Sequence, residues 1–197
     1  MQRPTSPSAK RILGLDPGLR VTGYAVLGPK LGGGIAIEEA GVLRSEPTDM
    51  PSRVKALYDG LVEVLDQWQP GVIAIEQLYA HAEHPRTAVL MAHARGCFLL
   101  AGAQRGIPVL SYPSTRVKKT ITGHGRATKD QMQHAIMREL GLDKPPEPHD
   151  VADALAVALC HAYASSSIVH GSNNAVYTGV NMKQLLGTPD EYAEDDA

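Results

Sequence analysis

The chain has 197 residues, 43% of them apolar and 20% charged; this is room for about one domain of ~150 residues plus tails, and it excludes wholesale disorder or a fibrous repeat. Its two cysteines, Cys97 and Cys160, lie in apolar stretches and form no C-x-x-C, which excludes a disulfide scaffold or a cysteine zinc site and makes a reducing compartment the default. With a net charge of −2, no run of ~18 apolar residues and no hydrophobic region after the basic residues of MQRPTSPSAK, a cytoplasmic protein is expected.

Residues 1–10 hold prolines, serines and a threonine without periodicity and are expected to be a flexible extension. A domain is expected over residues 11–164. It opens with a short apolar strand, Arg11–Asp16, closed by Pro17-Gly18. A second strand follows at Val21–Leu27, and the glycines at 32–34 lead to a third at about Ile35–Arg44; such close spacing predicts an antiparallel meander. Pro51-Ser52 starts a helix with Val54, Leu57, Tyr58, Leu61, Val64, Leu65 and Trp68 at i, i+3, i+4 spacing. Gln69-Pro70-Gly71 ends it before a buried strand, Val72–Glu76. A long helix at about Pro85–Gln104, a strand at Pro108–Tyr112 and two basic helices at Ser114–Ile121 and Lys129–Leu140 come next. The last helix, about Asp150–Ala164, is apolar nearly all round and should be buried. This order is that of a mixed-sheet α/β domain. Residues 165–197 open on three serines, carry a net charge of −4 and are expected to be a flexible acidic tail.

Charge is uneven within the domain. Residues 105–138 hold seven basic residues against Asp130 alone, an excess that points to an anionic partner. Carboxylates stand out by position. Asp16 and Glu76 end core strands, where α/β sheets present their sites, and Asp150 and Asp153 share one face at the start of the last helix. The alternative is local: Asp16 capping its own turn and Asp150 capping its helix. If the four converge, their repulsion calls for divalent cations, and hard oxygen ligands suit Mg²⁺ or Mn²⁺. Carboxylates holding two metals are a recurrent device for phosphodiester hydrolysis, and a basic surface makes nucleic acid the substrate. No H-E-x-x-H favours zinc. His149 lies four residues before Asp153 and can face the same site, whereas His161 is expected in the core. Gly14-Leu15-Asp16-Pro17-Gly18 with Thr22-Gly23 resembles the first phosphate loop of sugar kinases, but neither a G-x-x-x-x-G-K-[ST] nor a repeated half supports that reading.

Taken together, GLDPGLRVTGYAV, Met50-Pro51-Ser52-Arg53, AIEQLY, Ala94-Arg95-Gly96, RVKKTITGHGRATKDQM and HDVADALAVALCHA closely resemble the RuvC family of Holliday-junction resolvases, from about Arg11 to Ala164. The resemblance implies a ribonuclease-H-like fold, a mixed five-stranded sheet flanked by helices. It also implies a homodimer that cuts four-way DNA junctions with Mg²⁺, for which Mn²⁺ can substitute, at two ions per site, in partnership with the RuvA–RuvB branch-migration complex. By motif, Asp16, Glu76, Asp150 and Asp153 resemble the catalytic, metal-holding tetrad, with His149 as an alternative third ligand. Tyr79 matches an aromatic that stacks on an unpaired base, Lys118 and Lys129 match basic positions near the scissile phosphate, and Lys119 and Arg126 lie close by as further DNA contacts. Two other readings compete: a junction-binding scaffold without turnover, and a ribonuclease-H-like nuclease acting on RNA or hybrids.

Overall fold

The computed structural model describes residues 8–46, 48–78 and 85–169. Five strands, β1 (Ser8–Asp16), β2 (Val21–Pro29), β3 (Ile35–Arg44), β4 (Pro70–Glu76) and β5 (Val109–Tyr112), form one sheet in the order β3-β2-β1-β4-β5. β1, β2 and β3 pair antiparallel as the short turns require, while β4 and β5 join parallel to β1 and to each other through helical crossovers. The helices are α1 (Met50–Trp68), α2 (Pro85–Gln104), α3 (Ser114–Thr122), α4 (Lys129–Leu140) and α5 (His149–Val169). None among the described residues is long and apolar enough to cross a membrane.

Local signals set the helix ends. Asp49 caps α1 by accepting the Ser52 N–H at 3.0 Å, and Gln69 closes that helix in the left-handed region at φ 46°. Thr128 and Gln131 form a reciprocal capping box on α4, and Gly141 ends it at φ 66°. The folded elements run past the expected limits at both ends. β1 begins at Ser8, and α5 continues five residues beyond Ala164 to Val169. Three serines do not stop a helix whose preceding turns are packed: Ser165 donates its hydroxyl back to the Ala162 carbonyl at 2.9 Å.

Strand alternation divides the core into two layers. Leu13 and Leu15 of β1 and Ile73 and Ile75 of β4 face α1 and α2, where they bury Leu57, Leu61, Leu65 and Phe98. The intervening positions, Gly14 and Asp16 on β1 and Ala74 and Glu76 on β4, face the opposite way. There Ala74 joins Ala25, Tyr112 and the length of α5, which α3 and α4 flank. α5 is buried along most of its length, as its all-round apolar sequence predicts. His161, expected in the core, is half-buried, with Nδ1 2.6 Å from the Tyr112 hydroxyl.

The sheet under α5 is floored with small residues. A Cβ added to Gly14 would collide with the Ala154 carbonyl oxygen and lie 2.8 Å from the Ala158 Cβ; one added to Gly23 would collide with the Asp150 carbonyl and lie 3.0 Å from its Cβ. Thr22, fully buried, donates to the Gly18 carbonyl at 2.7 Å and accepts the Gly18 N–H at 3.2 Å, which fixes the β1–β2 turn. The Gly/Thr pattern that resembles a phosphate loop is thereby accounted for by packing and turn geometry. Gly14→Ala should destabilise the fold by roughly 1–3 kcal/mol through overpacking, read as a lower denaturant midpoint at unchanged m-value.

Candidate active site

Asp16 and Glu76 reach the same end of the sheet by register. Leu15 pairs with Ile75 across the parallel β1–β4 ladder, so each carboxylate stands one residue beyond that pair, on the α5 face. Asp16 also pairs with Gly23, the residue over which the Asp150 backbone passes. α5 therefore starts directly above the ends of β1 and β2, and its first turns bring Asp150 and Asp153 to the two strand carboxylates. The effect on their acidity is large. Burial, then the charges of Asp153, Glu76 and Asp150, push the Asp16 carboxyl up to about 7, against the pull of Lys129. Burial and the Asp153 charge hold Glu76 above the usual carboxylate range, with Lys118 opposing. Burial also raises Asp153; Lys129, His149 and Lys118 pull it down while Asp150 pushes it further up.

A cavity of about 290 Å³ adjoins this cluster, lined by Glu76 and Asp153, by Lys118 and Lys129, and by His149 and Gln133 among others. The two lysines enter it from different helices for one geometric reason. On α3 the stripe Ser114, Val117, Lys118, Ile121 and on α4 the stripe Lys129, Met132, Gln133, Ile136 follow the same i, i+3, i+4, i+7 spacing, with Val117, Ile121, Met132 and Ile136 buried. Each lysine rides at the polar edge of an apolar stripe that docks on α5.

The structure thus brings together Asp16, Glu76, Asp150, Asp153, His149, Lys118 and Lys129. Lys119 and Arg126 are exposed and do not line the cavity: Lys119 is one helical step off the docking stripe, and Arg126 precedes α4. Tyr79 lies outside the described residues. Gln133 and Ser114 were missed by sequence reasoning, although the two stripes mark them. The Gln133 amide Nε2 lies 3.0 Å from His149 Nδ1, which engages one ring nitrogen of that histidine. The four ion pairs among the described residues involve none of the four carboxylates, and no three of the described acids, histidines or cysteines are clustered tightly enough to ring an ion as placed.

Comparison with known proteins identifies the family. The family model for the crossover junction endodeoxyribonuclease RuvC matches residues 12–161. A crossover junction endodeoxyribonuclease RuvC from Rhodopirellula baltica is 48% identical over 164 residues, covering 81% of this chain and 90% of that protein. One from Desulforamulus reducens is 45% identical over 158 residues, covering 79% and 95%. Among solved structures, Thermus thermophilus RuvC superposes with a TM-score of 0.73 at 29% identity, covering 80% of this chain and 96% of that one. The same protein in complex with a Holliday junction substrate gives 0.72 at 30% identity, with the same coverage. With a mixed five-stranded sheet, acids at its strand ends and a family match across nearly the whole folded body, this chain belongs to the RuvC family of crossover junction endodeoxyribonucleases.

Proposed function

We propose that this chain resolves four-way DNA junctions by metal-dependent hydrolysis of one phosphodiester in each of two symmetric strands, as a homodimer in the cytoplasm working with the RuvA–RuvB branch-migration complex. The observation that carries the reading is the convergence of four carboxylates from β1, β4 and α5, opposite two lysines from α3 and α4. A protein that only bound phosphates would gain nothing from acids facing them, which disfavours a scaffold without turnover.

The donor set fits a hard divalent cation. Asp16, Glu76 and Asp153 are partly buried, raised in pKa first by burial and then by neighbouring acid charges, and outside the ion pairs among the described residues; such a group is costly until positive charge joins it. Asp16, Glu76, Asp150 and Asp153 would hold Mg²⁺, with Mn²⁺ as a substitute, two ions per site. Bound there, the ions would activate water and stabilise the leaving oxygen. His149 is the alternative third ligand through Nε2, since Gln133 engages only its Nδ1. The protein's own part is to orient the phosphate and meet developing charge. Lys118 and Lys129 reach the cavity from rigid helices, so their ammonium groups need little reorganisation as charge builds on the phosphate. By motif, Tyr79 stacks on an unpaired base, and Lys119 and Arg126, both exposed, are further DNA contacts close by Lys118 and Lys129.

α2 supplies the dimer face. Phe98 is fully buried against the sheet, while Val89 and Leu100 are 58% and 52% exposed. Val89, His93, Gly96 and Leu100 repeat at i, i+4, i+7, i+11, a stripe that a second copy would cover about a two-fold axis. Leu100→Asp should convert a dimer at micromolar concentration to a monomer by light scattering.

The deciding experiment incubates purified protein and Mg²⁺ with a four-way junction, a linear DNA duplex and an RNA–DNA hybrid side by side. Paired nicks in the junction alone support the proposal; cutting of the hybrid alone favours the ribonuclease reading. Asp153→Asn should abolish cleavage and leave junction binding within about twofold. Lys118→Ala and Lys129→Ala should each lower the single-turnover rate at saturating protein by roughly 10²-fold. Arg105→Ala should not, because Arg105 is 3.0 Å from Asp66 in a surface ion pair.

The cluster also sets a stability trend. Asp16, at about 7 in the fold against 3.8 unfolded, keeps its proton in the native state after the unfolded chain has released it. Stability of the cation-free protein therefore falls as pH rises from about 4 to about 7 and is lowest above that window. Asp16→Asn removes the cost and should stabilise the protein in EDTA by roughly 2–4 kcal/mol at pH 8, and by less than half of that at pH 5, measured by denaturant unfolding.

A further inference from the structure

A second cleft, of about 550 Å³, opens on the α1–α2 side of the sheet, between the β1–β2 turn, the start of α1 and the first turns of α2. Its apolar wall is Leu19, Leu90 and Met91; its polar rim is Arg20, Arg53 and Thr48, and none of the described residues lining it is acidic. Leu90 and Met91 continue the helical face that buries Ala94, Phe98 and Ala101, so the cleft forms where the core face of α2 runs past the end of the sheet. That face is well over a quarter turn from the Val89–Leu100 stripe.

The rim is rigid. Ser45, 6% exposed, donates its hydroxyl to the Leu19 carbonyl at 2.7 Å and its N–H to the Arg20 carbonyl at 3.0 Å. With the Thr22–Gly18 bonds, this pins the turn that displays the Arg20 side chain. Neither arginine forms an ion pair among the described residues. The acid whose charge couples to Arg53, Asp49, spends its carboxylate capping α1. Two guanidinium groups outside any ion pair among the described residues, beside an apolar wall, suit a phosphate joined to a flat ring.

We propose that this cleft takes one nucleotide unpaired from the junction at its crossover, with its phosphate on Arg20 and Arg53 and its base against Leu19, Leu90 and Met91. The inference rests on the proposed action on four-way junctions. The cleft begins two residues after Asp16, at the active end of the sheet but across it from the carboxylates. It therefore holds a nucleotide other than the one being cut, and it favours a junction, whose crossover bases are easily unstacked, over a linear duplex.

The test uses a synthetic four-way junction with 2-aminopurine at the crossover and the matching linear duplex, both in EDTA. Wild-type protein should raise the 2-aminopurine fluorescence on binding. Arg20→Ala and Arg53→Ala should each weaken junction affinity roughly 5–20-fold, lower the salt slope by about one and at least halve the fluorescence rise, with duplex affinity changed less than twofold. Leu90→Trp, which fills the wall and leaves the charge intact, should suppress the fluorescence rise. Unfolding midpoints matching wild type exclude misfolding. Equal losses on junction and duplex, unchanged affinity for both, or a shift toward monomer in the arginine variants would each overturn the proposal. Wild-type cleavage of the same junction in Mg²⁺ is scored separately, so failure of the cleft leaves the resolvase reading standing.

Discussion

α5 can lie across the ends of β1 and β2 because those strands put no side chain beneath it at Gly14 and Gly23. At Gly14 and Gly23 the helix backbone occupies the space a Cβ would take, and Ala154 and Ala158 return the favour from above. The axis of α5 is thereby held close to the sheet. Its first turn, with Asp150 and Asp153, then falls at the height of Asp16 and Glu76 and not a side chain's length away. α3 and α4 take their positions from α5 in turn, through Val117, Ile121, Met132 and Ile136. The lysines that face the carboxylates are placed by the same contact, two packing steps removed.

That packing makes the electrostatics possible and bears its cost. Carboxylates brought to a half-buried strand end lose water and repel one another, and Asp16, Glu76 and Asp153 are raised first by that burial and then by neighbouring acid charges. A loop-borne cluster would relax by moving apart. Here each acid ends a core element whose remaining residues are buried, so relaxation would strip apolar contacts from both layers of the core. The free energy that protonation or a divalent cation recovers is stored by the fold in advance, as preorganisation requires.

Much of this was legible in the chain because it follows short periods. The strand alternation Leu13, Gly14, Leu15, Asp16 and Ile73, Ala74, Ile75, Glu76 puts each acid on the small-residue face, and the apolar circumference of α5 marks it as the helix that lies there. Lys118 could be told from Lys119 by helical phase alone, and so could Gln133 from its neighbours. What the sequence did not disclose was set by tertiary context. α5 continues past Ala164 because the turns before its serines are anchored, a fact no local propensity contains. The β1–β2 glycines resemble a phosphate loop that nothing else in the chain supports, and their role as a floor shows only with the helix above them in place.

α2 shows how one element can serve three demands without conflict. Its sequence is apolar on nearly every side, so amphipathicity does not say which face goes inward. The sheet selects the face of Ala94, Phe98 and Ala101, because Leu13, Leu15, Ile73 and Ile75 oppose it. The stripe from Val89 to Leu100 is left outward, where unburied apolar area costs about 25 cal/mol per Å² until another surface covers it. Where the inward face outruns the sheet, Leu90 and Met91 meet the two arginines. A helix fixed by its core face carries its other two faces rigidly with it.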